Sequence, residues 1–126
     1  MTEVAITETN KEKPNNKYDL EERTYKFALA IAFLCKKFPT NIPNVEYARQ
    51  LIRASGSVGA NYIEANEALS KKDFMMRVKI CRKEAKESVY WLKLLMGTNS
   101  ENLKSEIAVL MNEGIELKKI FSSILR

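Results

Sequence analysis

The chain has 126 residues, with 21 Lys and Arg against 16 Asp and Glu, no histidine and two cysteines. That length makes one domain with a proper core, and the missing histidine excludes Ser-His-Asp catalysis, Cys-His catalysis and His-ligated zinc. Two cysteines exclude a disulfide framework or a four-cysteine zinc site, and only four glycines and three prolines disfavour a turn-rich β sandwich and favour long helices.

Residues 1–17 read as a tail: polar, interrupted by Pro14, and without a sustained period. They lack the basic start and apolar stretch of a secretory signal. The longest apolar run, Phe27 to Cys35, is too short to span a bilayer. A cytoplasmic protein without membrane contact is therefore expected.

Residues 18–126 carry four helical patterns. The first runs from Asp19, a capping residue with Glu22 three positions on, to about Lys37. Its stripe is Leu20, Thr24, Phe27, Ile31, Leu34 and Phe38, and Pro39 and Pro43 separate it from the next. The second spans about Asn44 to Leu69, with Ala48, Leu51, Ser55, Val58, Tyr62, Ala65 and Leu69 in its stripe. Ser70 caps the third, from Lys71 to Met96, which carries Phe74, Val78, Cys81, Ala85, Ser88, Leu92 and Leu95 and stops at Gly97. The fourth begins near Ser100 and carries Leu103, Ile107, Leu110, Gly114, Leu117, Phe121 and Ile124. Spacings that alternate three and four give a 3.5-residue seam, and short connections make sequential helices antiparallel neighbours. The fold class is all-α, an antiparallel up-down-up-down four-helix bundle.

Charge is concentrated on the third helix. Lys71, Lys72, Arg77, Lys79, Arg82, Lys83, Lys86 and Lys93 face Asp73, Glu84 and Glu87, so eight minus three leaves +5, equal to the net charge of the whole chain. A localised basic surface is the footprint of a phosphate-backbone binder, and a solvated helix face is the plainer explanation. Tyr90 and Trp91 close that helix; beside Leu92 they read as core or subunit contacts rather than base-stacking groups. Ser55, Gly56, Ser57, Gly59 and Ala60 form a small-residue cluster inside helix two. Each interior glycine costs about 1 kcal/mol against alanine, so close approach of another backbone is expected there.

Arg53, Asn61 and Glu64 on helix two and Lys83, Glu84 and Glu87 on helix three are candidate polar contacts between helices or subunits. The pairs Glu64/Glu67 and Glu84/Glu87 are spaced like di-iron carboxylates, but without histidine no metal or cofactor is expected. Cys35 and Cys81 read as small buried hydrophobes. Apolar residues off the stripes, Leu29, Phe33, Met76, Ile80, Val109, Ile115 and Ile120, point to a second buried surface and thus a homo-oligomer.

Several segments carry a family resemblance between Tyr18 and about Met96. They include Asp19-Leu20 with Arg23-Thr24, Leu34-Cys35-Lys36, Arg49 through Ser55, Ser57 through Ala65, Ser70 through Phe74, Lys83-Glu84-Ala85 and Glu87 through Leu92. In order and spacing the chain resembles the four-helix-bundle proteins encoded in intervening sequences of bacterial 23S rRNA genes. Helix four matches in pattern only. The resemblance implies an antiparallel bundle assembled as a homopentamer with a central channel, and no established activity. The related accessory protein of diversity-generating retroelements is also a pentameric bundle and binds nucleic acid and a reverse transcriptase through a basic surface. Gly56 departs from the family pattern, where alanine or threonine is expected, and should loosen helix two locally.

The expected function is a non-enzymatic oligomer that binds RNA or DNA through Lys72, Arg77, Lys79, Arg82, Lys83 and Lys86. The alternative is a protein-interaction scaffold or accessory subunit without direct nucleic-acid contact. An enzyme is disfavoured because only carboxylates, Lys and Tyr remain as catalytic groups.

Overall fold

A stripe with alternating three- and four-residue spacing buries one side of a helix, and four such stripes can share one core. The computed structural model, which describes residues 17–126 with side chains from Leu20 onward, has that arrangement. Helix α1 spans Lys17–Cys35, α2 Ile42–Asn66, α3 Lys71–Gly97 and α4 Lys104–Leu125, with a 3-10 turn at Glu101–Leu103 before α4. Each helix packs on the next and α4 returns to α1, so the four form a closed ring with α1 and α3 at opposite corners. Expectations for residues 1–16, including their separation as a tail, lie outside the described residues.

The stripes form the core. Leu20, Ile31 and Leu34 from α1, Leu51 and Val58 from α2, Val78, Cys81, Ala85, Leu92 and Leu95 from α3, and Ile107, Leu117 and Phe121 from α4 are fully buried. Tyr62 of α2 and Phe121 of α4 meet across the bundle with ring centroids 5.9 Å apart. Three stripe positions are small aliphatic hydroxyls, and each is satisfied within its own helix. Thr24 Oγ1 donates to the Leu20 carbonyl at 2.7 Å, Ser55 Oγ to Ile52 at 3.3 Å and Ser88 Oγ to Glu84 at 2.9 Å. They fill the seam without an unpaired polar group.

The helix ends show where local chemistry competes. α1 begins at Lys17, so Asp19 lies within its first turn rather than at its cap. α1 ends at Cys35, two residues earlier than the stripe suggests, because Pro39 and the turn before it take over. Asn41 caps α2, its side chain accepting the Asn44 N–H at 2.9 Å, with Pro43 in the first turn. α2 stops at Asn66, which leaves Leu69 98% exposed and outside the core, contrary to its place in the sequence stripe. Ser70 caps α3 by accepting the Asp73 N–H at 3.0 Å, as expected. Gly97 is the last residue of α3 and has no positive φ, so the helix ends without a left-handed glycine cap.

Polar contacts also bind the ring. Across the thinnest seam, between α4 and α1, Arg23 grips Glu113 with both prongs, Nε to Oε2 at 2.7 Å and Nη2 to Oε1 at 3.0 Å. At one end of the bundle Asn44 and Asn99 exchange side-chain amide hydrogen bonds at 2.8 and 2.9 Å, and Asn44 also donates to the Pro39 carbonyl. Asn44 is buried, so this reciprocal pair ties the α1–α2 turn to the α3–α4 turn.

The small-residue cluster divides into two kinds of glycine. A Cβ on Gly59 would lie 2.9 Å from Thr24 Oγ1 and 3.3 Å from Thr24 Cβ, so α1 and α2 cross there as closely as a missing side chain allows. A Cβ on Gly56 would meet nothing within 4 Å, and α2 runs unbroken through it, so the expected local loosening does not interrupt the helix. Gly59→Ala should therefore lose about 1–3 kcal/mol from overpacking against a stiff β-branched neighbour, partly offset by helix propensity. Gly56→Ala should gain about 0.5–1 kcal/mol, since only propensity changes. Urea denaturation of both variants measures the opposite signs.

Candidate nucleic-acid interface

Half-buried Phe74 and buried Val78, Cys81, Ala85, Ser88, Leu92 and Leu95 fix which way α3 faces. A residue two positions before each of these lies about 200° round the helix, on the outer side. Those residues are Lys72, Met76, Lys79, Lys83, Lys86, Tyr90 and Lys93, and all seven are exposed. The outer row of α3 is thus a line of cations interrupted by one thioether and one phenol ring.

Most of these cations are uncompensated. Lys83 Nζ lies 4.0 Å from Glu84, whereas among the described residues Lys72, Lys79, Lys86, Lys93 and the flanking Arg82 have no carboxylate within ion-pair distance. Elsewhere Lys26 pairs with Glu22, Lys37 with Glu106, Lys104 with Glu101 and Lys119 with Glu116, while Lys36, Arg49, Arg53 and Lys118 stand without such a partner among the described residues but do not share one row. Of the six cations expected to bind nucleic acid, Lys72, Lys79, Lys83 and Lys86 share the row, and half-buried Arg82 lies at its flank. Arg77 does not join them. It lies one residue before the seam position Val78, turns toward α2 and donates to Asn61 Oδ1 at 3.0 Å.

The carboxylates of α3 lie on the other flank, toward α2. Arg53, Gln50 and Ser57 of α2 and Lys83, Glu84 and Glu87 of α3 line a polar recess of about 250 Å³ between the two helices. Burial raises the Glu84 carboxyl above its ordinary value, Glu87 adds to this, and Lys83 and Arg53 oppose it. Arg53, Glu84 and Glu87 are therefore brought together, and Asn61 contacts α3 through Arg77. Glu64 is exposed on α2, and its side chain forms no hydrogen bond or ion pair among the described residues.

The two aromatic residues part company. Trp91 is half-buried and stacks on Tyr47 of α2, with centroids 6.1 Å apart. Tyr90 is 55% exposed, with its ring 5.2 Å from Trp91 in an edge-on arrangement. Of the core and subunit readings of these residues, core burial thus does not hold for Tyr90, because it stands two positions from Leu92 rather than one. The same offset identifies Tyr90 and Lys93 as members of the row and removes Arg77; residue counting along the stripe would have found all three.

Other reactive groups are quiet. Burial pushes the Cys81 thiol up to about 12 and the Cys35 thiol up to about 11, so neither is a thiolate at neutral pH. Among the described residues no helix is long and apolar enough to cross a membrane.

The raised Glu84 carboxyl has a sign in stability. The native state holds that proton more tightly than the unfolded chain, so the contribution of Glu84 is most favourable at low pH and is lost as pH rises past the ordinary carboxylate range. Glu84→Gln should be at least as stable as wild type at pH 7, and the difference should shrink as pH falls through that range. Thermal melts of both proteins at neutral and acid pH check this; a less stable variant at pH 7 would show that the ionised carboxylate is held favourably.

Comparison with known proteins places this surface in context. No curated protein matches the chain. Among solved structures it is similar to a protein with unknown function from the S23 ribosomal protein family of Bacteroides thetaiotaomicron VPI-5482, determined by crystallography at 1.70 Å resolution. The two are 29% identical, with a TM-score of 0.73 over 84% of this chain and 97% of that one. Residues 16–123 match the model of the 23S rRNA-intervening sequence protein family. With the four-helix ring and nearly the whole chain matched, this protein belongs to the 23S rRNA-intervening sequence protein family.

Proposed function

We propose that the chain forms a non-enzymatic oligomer that grips the phosphate backbone of RNA or DNA along the outer row of α3. The observation that carries this reading is the row itself: five exposed lysines on one line, with only Lys83 near a carboxylate among the described residues. Cations held on a rigid helix and not neutralised by the protein are available to replace the counterions of a polyphosphate. Contacts of this kind position the backbone and do not read sequence. The two unpaired cysteines suit a reducing cytoplasm.

Self-association belongs to the same reading, as the homopentamer that the family resemblance implies. Tyr25, Leu29 and Phe33 line the outside of α1 at four-residue intervals, and Val45, Ile52 and Ile63 are exposed on α2. Gly56 stands between Ile52 and Ile63 with open space beside it. An exposed apolar side of that kind is what a subunit contact needs. Since α1 and α3 occupy opposite corners of the ring, assembly through α1 and α2 leaves the basic row open.

Fluorescence-anisotropy titration of nuclease-treated protein with a structured RNA and a duplex DNA tests the first part. Binding should weaken with salt, with a slope of about −4 to −5 on duplex if five lysines each displace a counterion. Lys79→Glu combined with Lys86→Glu should reduce affinity about tenfold or more and flatten that slope, with helical circular dichroism unchanged. No binding by wild type at low salt would favour the protein-interaction scaffold instead. Light scattering tests the second part: the expected mass is that of five 14.5 kDa chains, falling to one chain in Leu29→Glu with Ile52→Glu. A wild-type mass of a single chain would refute self-association.

A further inference from the structure

A row that bound only duplex backbone would need cations and nothing else. This row contains Tyr90, which has Lys86 one turn before it and Lys93 one turn after, about 6 and 4.5 Å away along the helix axis. The ring is 55% exposed, an unfavourable place for a large aromatic group unless something covers it. It is also held in place. Tyr90 meets Trp91 edge-on at 5.2 Å, and Trp91 stacks on Tyr47 at 6.1 Å, so the exposed ring is the outermost member of an aromatic series anchored on α2. Little side-chain freedom remains to be lost when a planar ligand covers it.

We infer that the outer row of α3 takes single-stranded nucleic acid, with Tyr90 as the platform on which an unpaired base stacks while Lys86 and Lys93 hold the flanking phosphates. This rests on the reading that the row binds nucleic acid, and it names the form that is bound. In a duplex the faces of the bases are covered by their neighbours, so a ring lying among the phosphate contacts gains little there. In a single strand every base has an accessible face, and stacking tolerates any sequence. The charge is complementary to a polyphosphate and the ring is complementary to a base; an acidic protein helix would meet the lysines but offer no planar face to the ring.

The test uses the full chain and two probes: a fluorescein-labelled RNA single strand of about 16 nucleotides, a length within the usual single-strand site sizes, and the duplex it forms with its complement. Trp91, the only tryptophan, provides a second signal beside the platform. The single strand should bind more tightly than the duplex and quench Trp91. Tyr90→Ala should weaken single-strand binding by about 5- to 100-fold, remove the quench and leave duplex binding unchanged, while Tyr90→Phe should behave as wild type. If Tyr90→Ala binds the single strand as wild type does, while Lys79→Glu with Lys86→Glu loses both probes, the stacking platform is refuted and the basic row stands. Tighter binding of the duplex also refutes the platform. If wild type binds neither probe, both readings fall.

Discussion

The rotation of α3 about its own axis is set by what it buries, and the remaining surface depends on that rotation. Its seam residues alternate three and four apart, and Val78, Cys81, Ala85, Ser88, Leu92 and Leu95 are all buried. A helix held on that seam has a second row two positions earlier, facing outward with the same alternation. On α3 that row is basic. Turning the helix by one residue, about 100°, would carry the lysines toward the core, where desolvation of an ammonium group costs several kcal/mol. Core packing and surface charge therefore agree on one orientation.

The rest of the ring protects that orientation. Gly59 lets α1 and α2 cross at Thr24, and Gly114 is buried where a Cβ would lie 2.7 Å from Val89 Cγ2 and 3.4 Å from Phe27 Cζ. The bundle thus narrows at two glycines, one on the α1–α2 seam and one where α4 meets α3 and α1. Where apolar contact is thinnest, between α4 and α1, the two-pronged Arg23–Glu113 pair closes the ring; the Arg23 guanidinium is held charged chiefly by its hydrogen bonds to Glu113. Asn44 and Asn99 fix the loops at one end. Charge is largely sorted around α3 as well: Glu84 and Glu87 line the recess toward α2, Lys83 is shared between recess and row, and Lys72, Lys79, Lys86 and Lys93 are exposed on the outer row.

Most of this fold is legible in the amino-acid sequence because it is written as a period. The α1 stripe from Leu20 to Phe38 is buried throughout, hydroxyl of Thr24 included, since a period does not require every position to be apolar. Leu69 broke the pattern because a period does not mark where a helix ends; the backbone N–H groups of Glu67 and Ala68 do that by donating to the Glu64 and Ala65 carbonyls. The basic surface was legible as a sum over one helix but not as a surface. Arg77 counts toward the charge and faces Asn61, whereas Lys93 and Tyr90 complete the row. The Asn44–Asn99 clamp left no sequence signal, because it joins two turns 55 residues apart through side chains that commonly stand in turns for local reasons. Gly56 and Gly59 look alike in sequence, and only the neighbouring helix tells them apart.

Lysine acetylation footprinting, read by mass spectrometry with and without a bound RNA single strand, tests the central claim most directly, because it locates contact on the folded protein whatever its oligomeric state. The account predicts that RNA protects Lys79, Lys83, Lys86 and Lys93 on the outer row of α3 and leaves Lys26, Lys36 and Lys37, on and just after α1, as reactive as before. Equal reactivity along the α3 row in a mixture that demonstrably contains bound RNA, or protection confined to the α1 lysines, would contradict it.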